Sequence, residues 1–148
     1  VEVVPILCGG FHRFYQNGGH PDQDGQIEQA LATLRQATAG RKVVVVASGD
    51  LAHVGVAFGQ EALDDDKLAL VHAADEELVH HMAAGDVAAF YRAIHAVSDE
   101  NNVCGVAPIY LTMRLLGATE GTPTGYATCP ADNDNTSVVT VGGIIWQG

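Results

Sequence analysis

A chain of 148 residues with 18 acidic and 7 basic side chains carries a net charge of −11, too few cations to neutralise a nucleic-acid backbone or to settle on an anionic membrane. Its 47% hydrophobic content and slightly positive mean hydropathy exclude a disordered segment and supply enough apolar surface for one core. No apolar run approaches the roughly 18 residues of a membrane helix, no leader peptide is visible, and three widely spaced cysteines make no disulfide framework, so a reducing, cytoplasmic setting is expected.

The first residue, Val1, already lies in a strand-like run, so the sequence is expected to be a fragment, a processed product or a chain with an earlier part. Residues 1–7 (VEVVPIL) read as a strand, with Pro5 suited to an edge. Cys8-Gly9-Gly10 breaks it. Residues 11–25, polar and glycine-rich with His12 and His20, read as a long loop. Residues 26–39 set Ile27, Ala30, Leu31 and Leu34 on one stripe and stop before Gly40, which predicts a helix. Residues 42–47 (KVVVVA) predict a buried parallel strand, and strand, helix, strand in that order make a right-handed βαβ unit.

Residues 63–84 predict a long helix that opens on Asp64, Asp65 and Asp66, where carboxylates oppose the helix dipole. Its stripe is Leu68, Val71, Leu78, Val79 and Met82, with Asp75 in the middle. Beyond Gly85, Asp86 suits the N-cap of a helix whose stripe is Val87, Phe90, Ile94 and Val97. Residues 98–102 form a polar connection. Val103-Cys104-Gly105 then leads into a helix with Pro108 in its first turn and Ile109, Met113 and Leu116 on one side, closed by Gly117. Residues 124–128 and 137–146 read as two last strands. One single α/β unit over residues 1–148, a central sheet flanked by helices, is the expected architecture.

Chemistry is expected around the end of the 42–47 strand, because reactive groups collect at the carboxyl edges of such sheets. Asp50 and His53 lie three apart there, close enough for the acid to orient the ring for proton transfer or metal binding, although a purely structural histidine fits the same pattern. Cys104 precedes a helix start, where amides favour a thiolate nucleophile or metal ligand; a small core hydrophobe is the other reading. Asp75 on an apolar stripe needs a partner, and it either bonds a backbone turn or braces the His53 loop. No zinc-finger spacing, Walker A motif, dinucleotide fingerprint or nucleophile elbow is present.

Four stretches together resemble the Memo-like family, whose bacterial members are also called AmmeMemoRadiSam system protein B. Residues 1–7 resemble the family's proline-containing apolar strand. Ser48-Gly49-Asp50-Leu51-Ala52-His53-Val54-Gly55 resembles its S-S-D-x-x-H-x-G signature, with Gly49 in place of the second serine. Val103-Cys104-Gly105, followed by Pro108-Ile109, resembles I-C-G-x-x-P-I, and residues 134–142 loosely resemble the D-S-S-V-S-Y-A-A-G ending.

The resemblance implies a fold similar to class III extradiol dioxygenases, of which this chain would cover about the C-terminal half of the domain. Those enzymes hold a non-haem iron with two histidines and a glutamate and use another histidine as acid–base. In the Memo-like family a cysteine takes the glutamate position, which Cys104 matches, and His53 matches the acid–base histidine. By the resemblance His53 and Asp50 are catalytic, Cys104 is a metal ligand for iron or copper, and Asp75 and Ser48 support the site. The two ligand histidines would lie upstream of Val1. The implied partners are the N-terminal half of the domain, in the same or a separate chain, a small-molecule substrate and, for bacterial members, a radical-SAM protein. Metal-dependent redox or dioxygenase-type chemistry is the implied activity. A non-catalytic peptide-binding or accessory role is the alternative, and the scarcity of cations disfavours a phosphopeptide.

Overall fold

The computed structural model describes residues 2–117 and 119–147, and its elements follow from local signals. Helix α1 (His12–Asn17) is short; a 3₁₀ turn (Pro21–Gln23) leads to α2 (Gly25–Thr38). Asp24 caps α2, its carboxylate accepting from the Gln26 and Ile27 amides at 3.0 Å. Strand β1 (His53–Gly55) and a second 3₁₀ turn (Val56–Phe58) precede α3 (Asp65–Ala83), capped by Asp64 through the Lys67 amide. Helix α4 (Val87–Ala96) starts on Asp86, which accepts from Ala89 at 2.8 Å, and α5 (Val106–Leu116) ends at Gly117 with φ +82°. Strands β2 (Gly121–Pro130) and β3 (Ser137–Trp146) form a long hairpin with a register shift between Pro123 and Gly125.

The sheet has three strands in the order β1-β3-β2, and both pairings are antiparallel. Helix α3 lies on the hairpin, α4 packs on α3, α5 on α4, and α2 on α5. The larger core joins Phe11, Leu78, Phe90, Tyr91, Tyr110 and Met113 among its buried members. A smaller one joins Ala52, Val54, Val71 and Val138 beneath the sheet. Leu51 belongs to the first core, Ala52 and Val54 to the second. The segment carrying His53 is therefore nailed down on both sides of the histidine. None of the helices among the described residues is long and apolar enough to cross a membrane.

Helices and antiparallel hairpin make an α/β architecture, yet the expected parallel βαβ unit is absent among the described residues. Among these, neither residues 2–10 nor residues 42–49 make a backbone–backbone hydrogen bond, so the two anticipated strands are unpaired there. A continuous β-branched run signals a strand covered on both faces. Here one side only is covered: Val45 and Ala47 are half-buried, Ala47 against the larger core, while Val44 is 88% and Leu7 99% exposed. Arg41, next to the second run, and Glu2, in the first, form an exposed ion pair at 3.3 Å. The presumed loop 11–25 also differs, because it holds α1 and the 3₁₀ turn. Phe11 and Phe14, three apart, insert edge-to-face into the core at 5.3 Å between centroids and fold the segment over it.

Candidate functional site

The site begins with a backbone clamp. On one edge, the Leu51 amide donates to the Thr140 carbonyl, the Thr140 amide to Ala52, and the Ala52 amide to the Thr140 hydroxyl, at 2.8–2.9 Å. On the other edge, the His53 amide donates to the Asn101 carbonyl at 2.8 Å and the Asn102 side-chain amide to the His53 carbonyl at 3.1 Å. With Leu51, Ala52 and Val54 buried, only the His53 ring is directed outward, and it packs edge-on against Phe58 at 5.2 Å.

Cys104 reaches this segment because two glycines touch. A Cβ on Gly49 would fall 2.5 Å from the Gly105 Cα, and one on Gly105 would fall 2.7 Å from the Asp50 carbonyl oxygen. The Gly105 amide donates to that carbonyl at 2.9 Å, and the Asp50 amide donates to the Cys104 Sγ at 3.1 Å. Side chains at either glycine would hold the loops apart.

Three acceptor atoms converge as a result. One ligand atom each from Asp50, His53 and Cys104 lies within 4.8 Å of the others. The His53 Nδ1 stands 3.2 Å from the Leu51 carbonyl, and Nε2 stands 3.6 Å from the Asp50 Oδ2. The ring therefore has an acceptor at each nitrogen, and a proton on Nδ1, shared with Leu51, would leave Nε2 free as a ligand. Tetrahedral sites with bonds of about 2.0–2.3 Å set their ligand atoms roughly 3.3–3.8 Å apart, so the donor set suits a soft or borderline cation after a small contraction. The cluster opens to solvent through Asp50 and Cys104, and no lysine or arginine among the described residues forms an ion pair with it.

The other anticipated residues fall around this centre. Asp75 is fully buried on α3; its Oδ2 accepts the Tyr126 hydroxyl at 2.7 Å. Burial raises its carboxyl above the ordinary range, while the Thr140 and Tyr126 hydroxyls pull the other way. Because Thr140 also receives the Ala52 amide, Asp75 stands behind the His53 segment and outside the cluster. Ser48 is exposed and takes no part in the hydrogen bonds of the cluster among the described residues. Cys8 lines the larger core, where burial pushes its thiol up, and Cys129 is exposed on β2. His12, His20 and His95 surround Tyr15 and Tyr91 instead of the cluster.

Four contributors escaped sequence reasoning: the Leu51 carbonyl, Thr140, Asn102 and the Gly49–Gly105 contact. Only the glycines left a signal, since each sits beside a candidate ligand.

The sequence profile of a protein family described as Memo-like protein matches residues 19–145, a stretch that contains all three cluster residues. No curated protein matches the chain significantly.

Two outcomes follow from this packing. Gly49→Ala is expected to destabilise the fold by about 1–3 kcal/mol through overpacking and to drive the Cys104 loop outward. Urea unfolding and the alkylation rate of Cys104 measure both effects; an unchanged midpoint together with an unchanged rate contradicts the contact. For Asp75, the folded carboxyl binds its proton more tightly than the unfolded one, whose value is 3.8. Its contribution to stability is present below that value and is lost as pH rises through the folded pKa. Asp75→Asn removes this loss, so the Tm of the variant minus that of the wild type should grow with pH above 3.8 and then level off.

Proposed function

Because the chain belongs to the Memo-like family, we propose that Asp50, His53 and Cys104 form the metal-holding and proton-transfer side of a redox pocket acting on a small molecule. The observation that carries this reading is the convergence of a carboxylate, a thiol sulfur and an imidazole Nε2 whose other nitrogen is tied to a carbonyl. Acceptors brought this close repel one another unless a cation or proton lies among them.

Cys104 is the metal ligand of the set, and its sulfur favours copper or iron over the hard cations. Bound there, such an ion supplies one-electron redox and dioxygen chemistry. His53 offers Nε2 to the metal or to a substrate proton, while the Leu51 carbonyl keeps the ring from rotating away. Asp50 adds negative charge on the same side and favours the cation. A phosphopeptide, which needs donors, meets acceptors here, so peptide recognition fits this pocket poorly. Three free cysteines suit a reducing, cytoplasmic setting.

The remaining ligands belong, in this proposal, to the N-terminal half of a Memo-like domain in the same or a separate chain. Support comes from the apolar run at residues 3–7 and from Val43, Val44 and Val46, which are exposed and, among the described residues, without backbone partners. Strands supplied by that half would give them ladder bonds and cover their faces.

Metal analysis of protein produced with added copper or iron tests the site. About one equivalent per chain is expected, lost in Cys104→Ser and His53→Ala; a metal-free wild type whose oxygen uptake with catechols matches that of His53→Ala refutes it. For the partner, the co-expressed N-terminal half should co-elute with this chain in gel filtration. Val44→Glu with Val46→Glu should abolish co-elution while shifting the chain's own Tm by no more than about 2 °C, since both side chains are exposed.

A further inference from the structure

We infer that Asn102 is the positioning residue that fixes His53 against Cys104. This rests on the metal-binding reading above and adds a part that the cluster itself does not reveal.

Asn102 sits two residues before Cys104 and bonds directly to the segment carrying His53. Its Nδ2 donates to the His53 carbonyl at 3.1 Å, while the preceding carbonyl, that of Asn101, accepts the His53 amide at 2.8 Å. His53 is therefore held at both of its backbone polar groups by one dipeptide. From Asn102 the chain passes through Val103, which is buried and whose amide donates to the Asp99 Oδ1 at 2.8 Å, and then presents Cys104. Every link between the two ligands on this route is a hydrogen bond or a covalent bond.

Backbone conformation makes the choice of residue specific. Asn102 has φ +49°, a left-handed conformation that asparagine tolerates better than other residues with side chains. Ser98 and Asp99 share this conformation at φ +50° and +56°, so the whole turn is wound tightly before it delivers the cysteine. Glycine would accept the backbone but offer no amide. Aspartate would accept it too, but would set a carboxylate oxygen against the His53 carbonyl. Without the Asn102 amide, the His53 carbonyl would lose this partner and the His53 backbone would be held to the turn by one hydrogen bond, from its amide to Asn101, beside the Gly105–Asp50 and Asp50–Cys104 contacts on the far side of the cluster.

The test uses the 148-residue chain with cobalt(II) as the probe, because a thiolate–cobalt bond gives a near-ultraviolet charge-transfer band. Cobalt affinity and band intensity are measured for wild type, Asn102→Gly and Asn102→Asp, together with the hydrogen-exchange rate of the His53 amide without metal. Both variants are expected to fold, to bind cobalt about 10- to 100-fold more weakly and to lose protection at the His53 amide. Variants that bind like the wild type with a protected His53 amide overturn the inference. A wild type that gives no thiolate band refutes the metal reading instead. The amide exchange then decides on Asn102 alone: faster exchange in both variants upholds the clamp, and unchanged exchange removes it.

Discussion

Two peptide backbones meet at Gly49 and Gly105 with no side chain between them, and the geometry of the site descends from that contact. A Cβ on either residue would fall within 2.7 Å of the opposing loop. With both absent, the Gly105 amide reaches the Asp50 carbonyl, the Asp50 amide reaches the cysteine sulfur, and α5 starts directly behind the site. The helix then carries Ile109, Tyr110 and Met113 into the larger core, so the loops of the cluster and the hydrophobic core share one anchoring point. A loop contact of this kind is stiff because backbone, unlike a side chain, has no rotamer into which it can retreat.

A second constraint orients the chemistry. Burial of Leu51, Ala52 and Val54 fixes the segment between two cores, and the Leu51 carbonyl then stands beside the ring at Nδ1. The same residue thus fills the core with its side chain and orders the imidazole with its backbone. Asp75 stands one layer further back, where Thr140 and Tyr126 meet its buried carboxyl. Asp75 thus meets the His53 segment through Thr140, and Asp50 lies beside the ring at 3.6 Å.

How much of this could be read from the chain depended on where the signal resides. Helices α2 to α5 were legible because their caps are aspartates or their ends glycines, and because their stripes keep a 3.6-residue period. Strand β3 was legible from its β-branched run, and Asp50, His53 and Cys104, picked out by residue type, do converge. Residues 42–47 misled for a physical reason. Strand propensity is a local property, whereas a strand exists only when a neighbour accepts its hydrogen bonds. Helix α1 was hidden by glycines and histidines, since its stability derives from two phenylalanines in the core rather than from its own composition. Asn102 was illegible because its importance lies in a positive φ and a single side-chain bond, and neither has a sequence period.

The exposed valines have a colloidal consequence. Flat, β-branched runs with free amides are the kind of surface on which chains stack, and lysine or proline usually guards them. Here Lys42 and Pro5 are sparse guards, and the repulsion of a net charge of −11 is a further force opposing the approach of two copies. That repulsion fades as the medium approaches the isoelectric point near 4.7 and is screened within about 10 Å at 0.1 M salt. The acidity of the chain is, by the same token, the repulsion that opposes stacking of these two unpaired runs.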